Sequence, residues 1–571
     1  MIEVHLDLSE ARQNLVAVRL RLTPVQTRCL ISLPAWTPGS YMIRDHVRHL
    51  EGLELHQAGV PQPLRRLAAA QWSADLLDLE PLELRYRIQA HEQSVRTCHV
   101  NGDHAFLALV AVVLQVEGHR WSPHRLRLTL PEGWRPFLPL EGDPEAGWLA
   151  TDFDQLVDSP LEAGPHREHG FDVAGVPHRW VTWGDDLPGL DPQWLGDVYQ
   201  ICLSCCRLLN QPAPAASRYL FILHLLEEGY GGLEHDDASV LVYGRRALSR
   251  PEGRRRLLQL VAHEYLHQWN VRRLRPAELV PLDYDRPTPV AGLWFAEGIT
   301  SYLDQLIPHA AGLCSEAEVL EDLGSDISRY RLTPGRAVQS LRDSAQEAWV
   351  KLYRQDALSR NNQISYYLKG AIVALVLDLH LRRHGSALTV VLQDLWSRFG
   401  RCRRGYQEQD LVHAFAGHAP DLSTLLPNWL TSTDDPCIDA YLDDVGVRLV
   451  AEESREWFVG WQVRQTPSCG RLEVTTVDRG SPAAMAGLQP GDELLAINGW
   501  RLRSTEDVGE RLTTIQPSDR DLCLLFCRDG RIRSCDLAVR EPAIRSWRLE
   551  LVPGGDCSVE DRRRRWLRLL P

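Results

Sequence analysis

The chain has 571 residues, 44% of them hydrophobic and 24% charged, enough for roughly three or four domains around a large core. Lys+Arg 63 against Asp+Glu 76 gives a formal charge of −13, which argues against nucleic acid or an anionic membrane as the main partner. Thirteen cysteines lie scattered without a framework spacing, and the adjacent Cys205 and Cys206, flanked by apolar residues, read as buried thiols. Residues 1–10 are charged and alternating, without the apolar core of an export signal. The apolar run 371–377 ends at Asp378 and is far too short to span a bilayer. These features predict a cytoplasmic protein in a reducing compartment.

Residues 1–168 read as a β-rich domain. Val4, Leu6 and Leu8 alternate with polar residues, as do Val16, Val18, Leu20 and Leu22, the period of a half-buried strand. Residues 82–88 repeat the pattern, and Gly and Pro punctuate the runs. An antiparallel sandwich or saddle is expected. Within it, Leu33-Pro34-Ala35-Trp36-Thr37-Pro38-Gly39-Ser40-Tyr41 reads as a rigid turn with a packed Trp.

From residue 169 to about 450 the pattern becomes mainly helical. Residues 194–209 are helical in character, and 219–226 form a buried strand candidate. There follows Gly231-Gly232-Leu233-Glu234. It is not a phosphate loop, since no Gly-Lys-Ser/Thr follows. Glycines admit the close approach of a substrate backbone, and the acid after them can meet a cation. After a strand at 239–243, Ser249 and Glu252 form the pattern of a capping box, with Pro251 in the first turn.

The helix this predicts carries His263-Glu264-Tyr265-Leu266-His267. Histidines four apart leave one helical face a turn apart and can share one tetrahedral zinc ion. Glu264, beside the first ligand, can take a proton from the attacking water. A third ligand is available thirty positions on. Glu297 sits among apolar residues on a second helical segment, 292–302, ahead of Pro308, and a lone carboxylate there is costly unless paired or metal-bound. Two His and one Glu leave a fourth zinc position open, the catalytic arrangement. One turn past Glu297 stands Ser301 rather than an acid; Asp304 is the next candidate to support a zinc histidine. Further on, Tyr366-Tyr367-Leu368-Lys369-Gly370 opens a long apolar helix with Arg382, Arg383 and His384 in its last turn and Gly385 at C′.

Residues 451–545 read as a separate module, and 546–571, with the basic run 562–565, as a solvated tail. Gly480-Ser481-Pro482-Ala483-Ala484 and Gly491-Asp492-Glu493-Leu494-Leu495 resemble the PDZ domains of bacterial proteases. Phe458-Val459-Gly460-Trp461 stands where such a domain has its carboxylate-binding loop, departing from the usual Gly-Leu-Gly-Phe. By that resemblance Val459, Gly460 and Trp461 cap a peptide C-terminus while the peptide adds a strand.

The motif stretches together carry a wider resemblance. HEYLHQWNVRRLRP from His263 and LWFAEGITSY from Leu293 look like the glycyl aminopeptidase family, zinc peptidases of the thermolysin-like gluzincin group that usually carry a PDZ domain. The segments at 33–41, 231–235 and 333–336 resemble the same family. The resemblance implies a multidomain α+β enzyme with one Zn2+ held by His263, His267 and Glu297. It implies Glu264 as the base, Tyr367 as an oxyanion donor, and Gly231, Gly232 and Glu234 as substrate contacts, Glu234 binding the free α-ammonium. It also implies a preference for small amino-terminal residues, Gly or Ala. The expected partners are peptides with a free N-terminus, with a peptide C-terminus at the PDZ module, and neither nucleic acid nor membrane. The alternatives are a zinc endopeptidase of the same fold and an inactive, PDZ-bearing peptide-binding protein.

Overall fold

A computed structural model of the chain describes residues 1–184, 193–467, 470–516, 518–554 and 556–570. The architecture is multidomain α+β: an N-terminal β region, a helical middle region and a C-terminal β region. It packs as two compact units. One comprises Met1–Val290 with Leu306–Cys314 and Thr389–Leu411; the other comprises Ala291–Gln305, Ser315–Leu388 and the chain from Val412 onward.

In the first unit, the alternating runs form the heart of an eight-stranded sheet. Ile2–Asp7 and Leu15–Leu22 lie side by side, burying Val4 and Leu6 from one and Val16, Val18, Leu20 and Leu22 from the other. Period-2 burial is what a pleated strand with one covered face requires. The sheet is not purely antiparallel, because Ile2–Asp7 also pairs in parallel with His124–Thr129. That pairing joins strands more than a hundred residues apart, which local alternation does not report. Two four-stranded sheets complete the region.

A five-stranded sheet follows. Three parallel strands, Val176–Trp183, Tyr219–Leu226 and Ala238–Gly244, are flanked by Glu168–Val173 and by Tyr230–Glu234, the latter antiparallel and at the edge. Every residue of Ala238–Gly244 is buried, as expected of a strand covered on both faces. The motif helix, Gly253–Leu266, packs on this sheet and buries Leu257, Leu260, Val261, Tyr265 and Leu266, with Tyr265 against Tyr219 and Phe221. It starts later than the capping-box pattern predicts. Arg245–Leu248 forms a short helix of its own, Ser249 Oγ donates back to the Arg246 carbonyl, and Glu252 occupies the N-cap. A side chain at Gly253 would run into the Ala247 carbonyl, so the chain turns there.

In the second unit the Glu297 segment is a π-helical turn, Trp294–Gly298, running into the helix Ile299–Ala310. Pro308 does not stop that helix but lies within its last turn. The π-turn packs on the long helix Tyr366–Arg383 through two glycines. A Cβ at Gly298 would lie 2.5 Å from the Gly370 Cα, and one at Gly370 would lie 2.9 Å from the Gly298 Cα. The long helix ends as read: His384 is the C-cap, Gly385 has φ +74, and the Gly385 and Ser386 N–H groups bond the carbonyls of Arg382 and Leu381, the Schellman arrangement. The stretch Ser359–Arg383 is long and apolar enough to cross a membrane by length and composition, but 83% of its apolar window is buried inside the fold.

The C-terminal segment departs from the solvated tail expected of it. Ile544–Leu551 pairs with Val447–Glu453, and Cys557–Leu567 is a helix capped by Asp556. Trp566 is fully buried, its indole N–H donating to Tyr302 Oη at 2.7 Å. A single buried Trp among arginines is too weak a period to outweigh the charge around it.

The glycine pair gives a test. Gly298→Ala meets backbone that cannot move aside, so it should destabilise the protein by about 1–3 kcal/mol, despite the roughly 1 kcal/mol that Ala gains over Gly in a helix. Gly196→Ala, in the helix Trp194–Leu208 with nothing within 4 Å of the new methyl, should cause no loss. Thermal unfolding midpoints of the two variants decide the matter; equal midpoints would refute the close-packing account.

Candidate active site

The motif helix presents His263 and His267 as anticipated, with ring centroids 4.6 Å apart and planes at 89°. His267 is the C-cap residue, and its backbone (φ −60, ψ −20) continues the helical turn, so the four-residue relation survives. Its Nδ1 donates to the Asn270 carbonyl at 2.6 Å. That bond fixes the ring through one nitrogen, the way an outer bond holds a metal-binding histidine. For His267 the supporting group is thus a backbone carbonyl three residues on. The donor set and its outer bond suit a zinc ion.

Glu264 is buried, and its carboxylate lies against the edge strand Tyr230–Glu234 at Gly232, where a Cβ would overlap Oε1. The two glycines therefore have different tasks. Gly232 makes room for Glu264, whereas the space at Gly231 is open. Glu234, Glu264 and His267 offer ligand atoms that all lie within 4.8 Å of one another. Behind the helix, the Tyr265 hydroxyl meets His178 Nε2 at 2.9 Å, and its ring packs against Tyr219 and Phe221.

Glu234 ends the edge strand. It is 4% exposed, and its Oε1 has no hydrogen-bond partner among the described residues. A carboxylate oxygen left in that state costs free energy that a cationic ligand would recover. Residues 33–41 close the site from the N-terminal region. Trp36 is fully buried, with its indole N–H on the Asp283 carbonyl at 2.7 Å and its ring stacked near Tyr41. This agrees with the rigid turn, and the turn does more. Gly39, at φ +89, brings its backbone so close that a Cβ would lie 2.6 and 2.8 Å from the two Glu234 oxygens.

The residues after Glu234 are anchored by ion pairs that spacing did not reveal. The His235 imidazole approaches Asp158 at 3.3 Å, and the Asp236 N–H donates to Asp158 at 2.8 Å. Arg272, buried just past the motif helix, bridges Asp158 at 2.6 Å and Asp236 at 2.8 Å. Burial opposes ionisation of Asp236, yet Arg272, Arg273 and Arg403 hold its carboxyl well below the usual range. Arg272 was visible in the motif stretch, but its partners lie 36 and 114 residues away.

In the other unit Glu297 is 2% exposed on its π-turn, a helix irregularity that recurs at functional sites. Tyr366 is fully buried, while Tyr367 at the same helix end is partly exposed. Burial, and next the Glu297 carboxylate, push the Tyr367 phenol well above its ordinary pKa, so it remains a proton donor at neutral pH. Tyr353, which nothing in the sequence singled out, places its hydroxyl 3.0 Å from that of Tyr367 and 3.3 Å from that of Tyr366.

The PDZ region forms a groove of about 360 Å3. The segment from Phe458 to Val463 lines one wall, and Thr505, Val508, Gly509 and Leu512 of the helix Thr505–Thr513 line the other. Gly460 is packed so tightly on Ser481 that a side chain would overlap it, and the Val459 carbonyl accepts from the Ala483 N–H at 2.9 Å. The strand Trp461–Gln465 is at the sheet edge, leaving one side of its ladder for an added strand.

Models of known families match three stretches: the M61 glycyl aminopeptidase at residues 256–373, the peptidase M61 N-terminal domain at 3–165 and a PDZ domain at 473–516. No curated protein sequence matches. Among solved structures, an aminopeptidase N family protein from Idiomarina loihiensis is similar at 26% identity and TM-score 0.92, covering 99% of this chain and 100% of that one. Two structures of yeast LTA4 hydrolase, native and with bestatin, reach TM-scores of 0.47 and 0.48 at 12% identity, each over 78% of this chain and 70% of that one, too distant to bear on the site. The chain thus matches the N-terminal and catalytic domain models of the M61 glycyl aminopeptidases and, after them, a PDZ domain, a combination that supports a peptidase.

Proposed function

We propose that the chain is a zinc-dependent aminopeptidase that releases the first residue of peptides, with small residues such as Gly or Ala preferred. The observation that carries this reading is Glu234: a buried carboxylate at the end of an edge strand, beside Glu264 and His267, closed off by the backbone of Gly39. His263, His267 and Glu297 would hold one zinc ion, which when bound polarises the scissile carbonyl and acidifies water.

The residues of the chain supply the remaining chemistry. The edge strand Tyr230–Glu234 aligns the peptide as an added strand, with the open side of Gly231 toward it. Glu234 receives the α-ammonium, a cation at neutral pH since its pKa is about 8. Gly39 leaves no room beyond that group for a further residue, which restricts cleavage to the first bond. Glu264 takes the proton of the attacking water and delivers it to the leaving amine. The Tyr367 hydroxyl donates to the developing oxyanion, and Tyr353 holds it in position. The PDZ groove would take a peptide C-terminus. Buried free thiols such as Cys202, Cys205 and Cys206 suit a cytoplasmic setting.

Three measurements test this reading. Glu264→Gln should keep its zinc and lose turnover, whereas His267→Ala and Glu297→Gln should lose zinc; metal analysis beside peptide hydrolysis reads both, and an active Glu264→Gln enzyme would rule out the mechanism. Tyr367→Phe should lower kcat by ~10² to 10³ at nearly unchanged KM, and Tyr366→Phe should be mild; the reverse ranking would move the oxyanion role to Tyr366. Glu234→Ala should lower kcat/KM on unblocked peptides by roughly two or more orders of magnitude, with far less effect on acetylated ones. Gly39→Ala should shift activity in the same selective way. Equal losses on free and acetylated peptides would mean that Glu234 is structural and that the enzyme is not an aminopeptidase.

A further inference from the structure

The helix Tyr366–Arg383 ends in a second pair of histidines four residues apart. His380 lies in its last turn and His384 at its C-cap, with ring centroids 4.8 Å apart and planes inclined at 31°. Both face Asp421, the N-cap residue of the helix Leu422–Thr431. Asp421 Oδ1 is 3.0 Å from His380 Nε2 and 3.8 Å from His384 Nε2, and the three donor atoms lie within 4.8 Å of one another. Ligands at about 2.0–2.1 Å from a tetrahedral zinc stand roughly 3.3–3.5 Å apart, so these spacings bracket what a shared ion needs.

Three observations set the cluster apart from a surface ion pair. First, an Asp at an N-cap normally accepts a hydrogen bond from its own helix. The Asp421 side chain makes no such bond and is engaged by the histidines instead. Second, His380 is 5% exposed, and its Nδ1 lies 3.1 Å from the Tyr441 hydroxyl. A metal-binding histidine is held in this way through its other nitrogen, and the bond aims Nε2 at Asp421. Third, the side chains of His384 and Asp421 are 38% and 48% exposed, so an ion can enter and water can complete its coordination. The neighbouring cation, Arg383, stacks on the Tyr441 ring and pairs with Asp444, so its charge is already matched.

We infer that His380, His384 and Asp421 form a second divalent-metal site, separate from the peptidase residues. Two imidazole nitrogens and one carboxylate oxygen favour Zn2+, Ni2+ or Cu2+ over Mg2+ or Ca2+. The ion would clamp the end of the helix whose other end bears Tyr367 to the start of the helix Leu422–Thr431. That clamp is a structural role.

The test uses the full-length protein, stripped with chelator and then dialysed against Zn2+. Wild type should retain one more equivalent of zinc than His384→Ala or Asp421→Ala, while peptide hydrolysis by His384→Ala stays at the wild-type level. Zinc should raise the melting temperature of wild type more than that of either variant, and Mg2+ should not. The count is a difference between proteins with the same peptidase residues. It therefore stands whether or not zinc occupies that centre, and a His263→Ala protein should still lose one equivalent when His384→Ala is added. His384→Gln provides a check should either first variant fold poorly. Equal zinc content in wild type and the folded variants would overturn the proposal.

Discussion

The site depends on one close approach: the Glu264 carboxylate lying on the edge strand where Gly232 has no side chain. The carboxylate can lie there because Gly232 contributes nothing beyond its backbone. The approach sets Glu264 beside the face a peptide would use and sets Glu234, two residues along the same strand, within reach of the same space. A side chain at 232 would take the space of the Glu264 carboxylate and push that group from its place on the strand. Beneath, the ring of Tyr265 packs the helix against Tyr219 and Phe221 of the sheet.

A second glycine contact does comparable work in the other unit. Gly298 and Gly370 let the π-turn bearing Glu297 and the helix bearing Tyr367 pack backbone to backbone. Nearby, Asp378 is fully buried and fully used. It accepts from the Tyr302 hydroxyl and the Leu388 N–H, each at 2.9 Å, and pairs with Arg382 at 3.2 Å. The Trp566 indole completes the group through Tyr302. A buried carboxylate is tolerated when its lone pairs are this well engaged. The consequence is that the last helix of the chain braces the helix that carries Glu297.

Much of the site was legible because its chemistry is local. The four-residue spacing of His263 and His267, the acid between them, and Gly231-Gly232 before Glu234 are short patterns with a mechanism attached. The C-terminal end of the helix Tyr366–Arg383 was legible for the same reason, since its cap lies within five residues. Where a local pattern misled, another local contact competed with it. Ser249 bonds backward instead of capping forward, and Pro308, which has no N–H to give, costs the helix Ile299–Ala310 one bond near its end without stopping it.

What the sequence by itself determined is the inventory: which residues can bind a metal, move a proton or hold an ammonium, and which runs must be strand or helix. Those follow from side-chain chemistry and from periods of 2 and 3.6, which act over a few residues. The tertiary structure alone decided the neighbours. It brought Gly39 onto Glu234 across almost two hundred residues, Arg272 onto Asp158 across 114, Tyr353 onto Tyr367, and the Asn270 carbonyl onto His267. It also drew Trp566 into a core that its arginine-rich surroundings concealed. Contacts of that kind depend on how sheets and helices close on one another, and no short stretch of chain carries that information.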